Sequence, residues 1–436
     1  MSILAIGLFT MLVLPSTPHF WKFAPTPPMG WNSWDCFATT VTEAQTKAAA
    51  DVMASKLKEF GWKYVVVDIQ WYEPKAESYE YRKDAHLVTD GYGRVLPATN
   101  RFPTAKDGAG FAPLASYVHG LGLKFGVHLM RGIPKQVVEE NLPILGTHLH
   151  AQDIVDRTST CPWNPDNYGV DMTKPGAQAY YESVFQLLAQ WHVDYVKVDD
   201  IARPYHRAEI EAVRKAIDKT GRKMVLSLSP GETSLDAADH VARNANLWRI
   251  SDDFWDSWPA LVEQFERCRK WSAVTGPGHF PDADMLPLGY IRFGERTRFT
   301  PEEQRTMMSL WAMVQSPLML GCDLTKLDDW TLSLITNKDV IRVNQHSHGA
   351  VQLSREGEHV IWLSESEKGN EMFVGFFNLG DKPATITTSL KSIGLSDGVA
   401  TDLWFHQPVP IIGDQLSMEV PPHGSRLLAV KALITK

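Results

Sequence analysis

Cysteine is scarce: four residues in 436 (Cys36, Cys161, Cys268, Cys322), widely spaced and with no CxxC pair, point to neither a disulfide scaffold nor a thiolate zinc site. An HExxH zinc motif is missing too, as is a glycine-rich phosphate loop, so no metal and no cofactor is expected. Basic charge is in deficit. Lys+Arg 43 against Asp+Glu 51 gives a net charge of -8, which argues against nucleic acid or an anionic membrane surface as partner. No apolar stretch is long enough to span a bilayer: Ile3 to Leu14 has the length of a signal-peptide core, although no lysine or arginine precedes it. Residues 1–24 are read as a leader of a secreted or periplasmic protein, the alternative being a packed N-terminal segment of a cytoplasmic one. Nothing sets an oligomeric state, and a homo-oligomer is compatible with the sequence. Tryptophan is plentiful instead: 15 Trp and 12 Tyr supply flat apolar rings of the kind that sugar faces stack on.

The chain is organised around Val193-Asp194-Tyr195-Val196-Lys197-Val198-Asp199-Asp200-Ile201. An apolar, β-branched run of this length reads as a buried parallel strand. Alternation then puts Lys197 and Asp199 on one face and Val196 and Val198 on the other. From Pro25 to about Asn344 the same theme recurs, an apolar run followed by a loop and an amphipathic segment. Strands are expected at Met29 to Trp31, Tyr64 to Asp68, Leu123 to His128, Tyr195 to Val198, Lys223 to Leu228, Leu247 to Ser251, near Met285, and at Leu318 to Gly321. Helices are expected at Thr42 to Phe60, Pro175 to Trp191 and Pro301 to Gln315, opening on an N-cap threonine or a first-turn proline. Eight strands close a barrel, so residues 25–344 are read as a (β/α)8 TIM barrel. In that fold chemistry belongs to the C-terminal ends of the strands. After Asn344, short alternating runs such as Val360-Ile361-Trp362-Leu363, separated by turn residues, predict a small antiparallel β-sandwich over 345–436.

The predicted strand ends carry Trp31 and Trp34, Asp68, His128 with Arg131, Lys197 and Asp199, Ser229, Arg249 with Asp252 and Asp253, and Asp282 with Asp284. Carboxylates ringed with aromatics and cations, without a metal, suit glycosyl transfer to water. One carboxyl protonates the leaving oxygen, and a second attacks the anomeric carbon or activates water. Lys197 beside Asp199 favours the ionised carboxylate there. Spacing alone does not choose the acid among Asp252, Asp253 and Asp256.

These residues resemble glycoside hydrolase family 27, the clan-D α-galactosidases (melibiases) and α-N-acetylgalactosaminidases. Pro27-Pro28-Met29-Gly30-Trp31-Asn32-Ser33-Trp34 is similar to the family's opening signature, and Lys197-Val198-Asp199 to its nucleophile strand. Trp248 to Asp253, continuing to Asp256-Ser257-Trp258, resembles its acid/base segment, and Pro281-Asp282-Ala283-Asp284-Met285-Leu286 its late carboxylate motif. The resemblance implies Asp199 as nucleophile and Asp253, four residues after Arg249, as acid/base. It further implies Trp34 as sugar platform, with Asp68, Lys197, Arg249 and Asp284 binding hydroxyls and the 2-substituent. His128 and Ser229 then stand where the family contacts substrate through a tyrosine and, in galactose-specific members, a glutamate. Retention of configuration follows, with the carboxyls about 5 to 5.5 Å apart.

Departures bear on the sugar. Asp68-Ile69-Gln70-Trp71 has isoleucine where the family carries a second aspartate, and Ile201 replaces a cysteine after the nucleophile. The expected activity is a retaining exo-α-galactosidase acting on an α-galactoside-bearing oligosaccharide or glycan. Ser229 admits an α-N-acetylgalactosaminidase. Ile69 admits a β-L-arabinopyranosidase, whose substrate lacks the exocyclic CH2OH. A non-catalytic carbohydrate-binding protein is the alternative from another class.

Overall fold

The computed structural model describes residues 17–433; the leader-like run Ile3 to Leu14 lies outside them. Eight parallel strands form one curled sheet: β1 (Met29–Asn32), β2 (Tyr64–Val67), β3 (Lys124–Met130), β4 (Tyr195–Asp199), β5 (Val225–Leu228), β6 (Leu247–Arg249), β7 (Phe280–Asp282) and β8 (Leu318–Leu320). Their order is β7-β6-β5-β4-β3-β2-β1-β8. The barrel closes just past β7, where Leu286 bridges Leu320 in parallel and its N–H donates to the Met319 carbonyl at 2.7 Å. The seventh strand therefore lies a few residues before Met285, and Met285-Leu286 supplies the seam.

Side-chain parity divides the core. Tyr64, Val66, Tyr195, Val225, Leu247, Met285 and Met319 meet in one buried cluster with Ala24, whereas Val65, Val67, Val196, Val198, Leu226, Leu228 and Trp248 belong to the larger core with the helices. Gly30 and Gly126 make room for the two tyrosines: a Cβ on Gly30 would lie 2.5 Å from the Tyr64 carbonyl oxygen, and one on Gly126 3.0 Å from Tyr195 Cβ. Lys197 and Asp199 continue the interior row above Tyr195, as alternation requires.

Helix α1 (Trp34–Phe37) is a single turn leaving β1, and α2 (Glu43–Val52) begins at a Thr42 capping box before running on through irregular turns to Phe60. Later come α3 (Ala177–Gln190) and α4 (Pro301–Met313), the second capped reciprocally by Thr300 and Glu303. A small three-stranded sheet (Ile133–Pro134, Val155–Thr160, Asn167–Val170) decorates the loop after β3; no periodic run announced it.

The C-terminal part holds a six-stranded antiparallel sheet containing Ser347–Glu356, His359–Ser366, Glu371–Asn378 and Ser425–Lys431, faced by a three-stranded one around Gln415–Val420. Ile361, Val374, Phe376, Leu416, Leu428 and Val430 form its own core. Its other face joins the barrel. Phe377 meets Phe265 edge-on at 5.1 Å, and Ser309 of α4 hydrogen-bonds Ser425 and the Trp404 indole. All four cysteines are buried and free.

Candidate active site

A cavity of about 410 Å³ opens at the C-terminal ends of the barrel strands. Seven of the nine residues to which the resemblance gives a role line it: Trp34, Asp68, Lys197, Asp199, Arg249, Asp253 and Asp284. Asp68 is buried and accepts from Lys197 Nζ at 2.9 Å and from Asn32 Nδ2 at 2.6 Å. Burial works against its charge, but Lys197 foremost, then His128 and Asn32, hold its carboxyl below the ordinary range. Lys197 is raised in turn despite burial, because Asp68 and Asp199 flank it.

Asp199 ends β4. His128 Nε2 lies 2.9 Å from its Oδ2, and the Asp200 N–H donates to Oδ1 at 2.9 Å. Burial alone would push this carboxyl up; the His128 hydrogen bond and charge, with Lys197, bring it down to about 2. Asp199 is thus a carboxylate throughout the neutral range. Arg249, at the end of β6, bridges Asp253 (3.1 Å) and Asp284 (2.9 Å). Asp284 also accepts the Phe254 N–H at 2.7 Å. Asp253 is 57% exposed at its side chain, the open member of the pair. Asp256 does not line the cavity: it is buried and bound by Arg292 and the Arg298 N–H.

Three residues expected on the rim are placed elsewhere. His128 does not contact the cavity. It is wholly buried behind Asp199, where Nε2 donates to the carboxylate and Nδ1 has no partner among the described residues. Ser229 is likewise buried and off the wall, which its neighbour Pro230 lines instead. Arg131, placed on the rim by its position after β3, turns the other way and pairs with Asp200 and Glu209. It follows His128 by three residues, so strand parity sends it to the opposite face.

The loops add residues that periodicity did not reveal: Asp35, Tyr79, Tyr81, Trp163, Arg203 and Trp255. Tyr81 stacks on Trp34 with centroids 6.2 Å apart and meets Trp163 at 5.8 Å. Their one signal in the sequence is aromatic residues standing in otherwise polar loops, as in Ser78-Tyr79-Glu80-Tyr81. Among the described residues no group of His, Cys, Asp or Glu is gathered to hold a metal ion, and no helix is long and apolar enough to cross a membrane.

An ionised carboxylate, a second carboxyl open to solvent, buried ion pairs and an aromatic wall at a barrel mouth suit a glycoside hydrolase. Comparison with known proteins gives the lineage. The α-galactosidase A family model matches residues 166–346, and that of the α-galactosidase C-terminal β-sandwich matches 356–430. α-Galactosidase 2 of Arabidopsis thaliana is 30% identical over 412 residues, covering 93% of this chain and 89% of its own. The solved structure of a family 27 β-L-arabinopyranosidase from Geobacillus stearothermophilus is 52% identical with a TM-score of 0.95, covering 97% of this chain and 100% of its own. The α-N-acetylgalactosaminidase of Gallus gallus is 27% identical over 94% of this chain and 95% of its own. The chain belongs to glycoside hydrolase family 27, the α-galactosidase-like family.

Proposed function

We propose that the protein is a retaining exo-glycosidase that releases terminal β-L-arabinopyranose. Asp199 attacks C1 as the bond to the leaving oxygen breaks, and Asp253 gives its proton to that oxygen. Asp253 then takes a proton from water, whose oxygen attacks C1 and expels the Asp199 carboxylate. Two inversions restore the starting configuration. His128 keeps Asp199 ionised and oriented for the attack. The Asp68–Lys197 and Arg249–Asp284 pairs present fixed donors and acceptors to ring hydroxyls.

The observation that carries the choice of sugar is Ile69. This buried side chain lines the cavity beside Asp68, where the family resemblance implies a second hydroxyl-binding carboxylate. β-L-Arabinopyranose has the ring configuration of α-D-galactose without the exocyclic CH2OH, so an apolar wall fits it and leaves a galactoside hydroxyl without a partner. The 52% identical β-L-arabinopyranosidase supports the same reading. α-D-Galactoside hydrolysis is the second reading, supported by the curated α-galactosidases. α-N-Acetylgalactosaminide is the third reading, supported by the α-N-acetylgalactosaminidase relative and not by Ser229, which is absent from the wall. The experiment is hydrolysis of p-nitrophenyl β-L-arabinopyranoside followed by proton NMR of the first-formed sugar, in wild type and Asp199→Ala. Release of the β anomer, abolished in the variant, is expected; an inverted first product or undiminished turnover by the variant would refute the mechanism.

A further inference from the structure

The carboxyl groups lining the cavity are nearly all matched. Asp68 has Lys197 and Asn32, Asp199 has His128, Asp253 and Asp284 share Arg249, and Asp252 pairs with Arg203. Asp35 is the exception. It lines the same cavity, is 3% exposed, and its Oδ2 has no hydrogen-bond partner among the described residues. The position is built rather than incidental. The Trp34 N–H donates to Asn32 Oδ1 at 2.9 Å, and Tyr79 Oη donates to the Asp35 carbonyl at 2.6 Å, so the turn carrying Asp35 is held on both sides. The chain after β8 comes up against the side chain: a Cβ on Gly321 would lie 1.9 Å from Asp35 Oδ2.

A buried carboxylate with no cation or donor in contact is costly, whereas the neutral acid is tolerated. Burial first, then the charge of Asp284, with Asp253 and Asp68 adding to it and Lys197 opposing, pushes the Asp35 carboxyl well above its usual range. Its neighbours on the cavity floor are acceptors already engaged by Lys197 and Arg249. A sugar hydroxyl that donates to one of them keeps a free lone pair, and a neutral carboxyl is the group able to donate to it.

We propose that Asp35 is a substrate-binding residue that presents a carboxylic O–H to a sugar hydroxyl on the floor of the cavity. The assignment rests on the glycosidase reading above and extends it to a residue outside the motifs read from the sequence. It also explains the absence of a side chain at Gly321, since any Cβ there would displace the acid.

The test compares Asp35→Asn and Asp35→Leu, of nearly equal size, with wild type. Calorimetric Kd values for free L-arabinose and D-galactose are read beside kcat, KM and the thermal midpoint. Asparagine keeps an uncharged donor, so Asp35→Asn is expected to hold Kd and KM within about threefold. Loss of one buried sugar hydrogen bond is expected to weaken both by about tenfold or more in Asp35→Leu. Kd unchanged in Asp35→Leu, or equal losses in the two variants, would overturn the assignment, the second by showing that a charged acceptor is required. Altered thermal midpoints with unchanged Kd would mark a packing role only and overturn it as well. Wild type that binds these sugars without hydrolysing either pyranoside would sink the proposed activity while the Kd comparison still judges Asp35. Wild type that binds neither sugar would sink both.

Discussion

Replacing His128 by phenylalanine keeps a flat ring in a fully buried place and removes the group that holds Asp199 ionised. The Asp199 carboxyl sits at about 2 against an ordinary 3.8, a difference worth about 2.5 kcal/mol in favour of the charged form. Burial opposes that form, and His128 is the largest contribution against burial, through both its hydrogen bond and its charge. Without it Lys197 and the Asp200 N–H remain, too little to offset desolvation that can raise a buried carboxyl by several units. The acid limb of kcat/KM on p-nitrophenyl β-L-arabinopyranoside is therefore expected to move up by at least about two pH units in His128→Phe. The sign also fixes stability. A folded-state value below the unfolded one contributes stability above pH 4 that is lost as the pH falls toward 2, so the variant should lose that acid resistance. Near-UV circular dichroism at each pH separates a titrating Asp199 from an unfolding protein. An acid limb that stays in place while the variant remains folded would refute the role given to His128.

Ile69→Ala removes three carbons from the wall beside Asp68 and should raise kcat/KM for α-D-galactoside relative to β-L-arabinopyranoside by about tenfold or more, measured side by side; an unchanged ratio would remove Ile69 as the determinant. Gly30→Ala drives a Cβ to 2.5 Å from the Tyr64 backbone and should lower stability by about 1–3 kcal/mol, seen as a thermal midpoint several degrees lower at fixed scan rate. Arg249→Met unpairs Asp284 in a buried place and frees Asp253, and should depress kcat/KM by about 100-fold or more; a loss below tenfold would argue against Arg249 as the anchor of both carboxyls.

The barrel was legible because its strands are largely buried, and burial on both faces leaves apolar runs such as Tyr64 to Val67, and Tyr195 to Val198 interrupted only by Lys197. The same parity placed Lys197 and Asp199 together in the interior. It would also have separated His128 from Arg131 had it been applied to β3. The seventh strand was displaced because Phe280-Pro281-Asp282 has a proline in the run, and the apolar residues after it belong to the seam with β8. Asp35 and the wall of Tyr79, Tyr81, Trp163 and Trp255 were illegible: they sit on loops and a single turn, and nothing periodic says which loop residues fold over a cavity. His128 and Ser229 stand at strand ends, and only their contact with substrate rests on resemblance to residues of other shapes. A histidine on an interior strand face can reach the neighbouring strand's carboxylate instead of the substrate, and the register that sets His128 opposite Lys197 brings Asp199 within its reach.

The most direct test of the account is a comparison of kcat/KM for p-nitrophenyl β-L-arabinopyranoside, α-D-galactopyranoside and N-acetyl-α-D-galactosaminide under one set of conditions. An apolar wall at Ile69 beside a conventional pair of carboxyls predicts the arabinopyranoside to be preferred over the galactoside by about tenfold or more, with the N-acetyl sugar last. A galactoside equal to or better than the arabinopyranoside would contradict it.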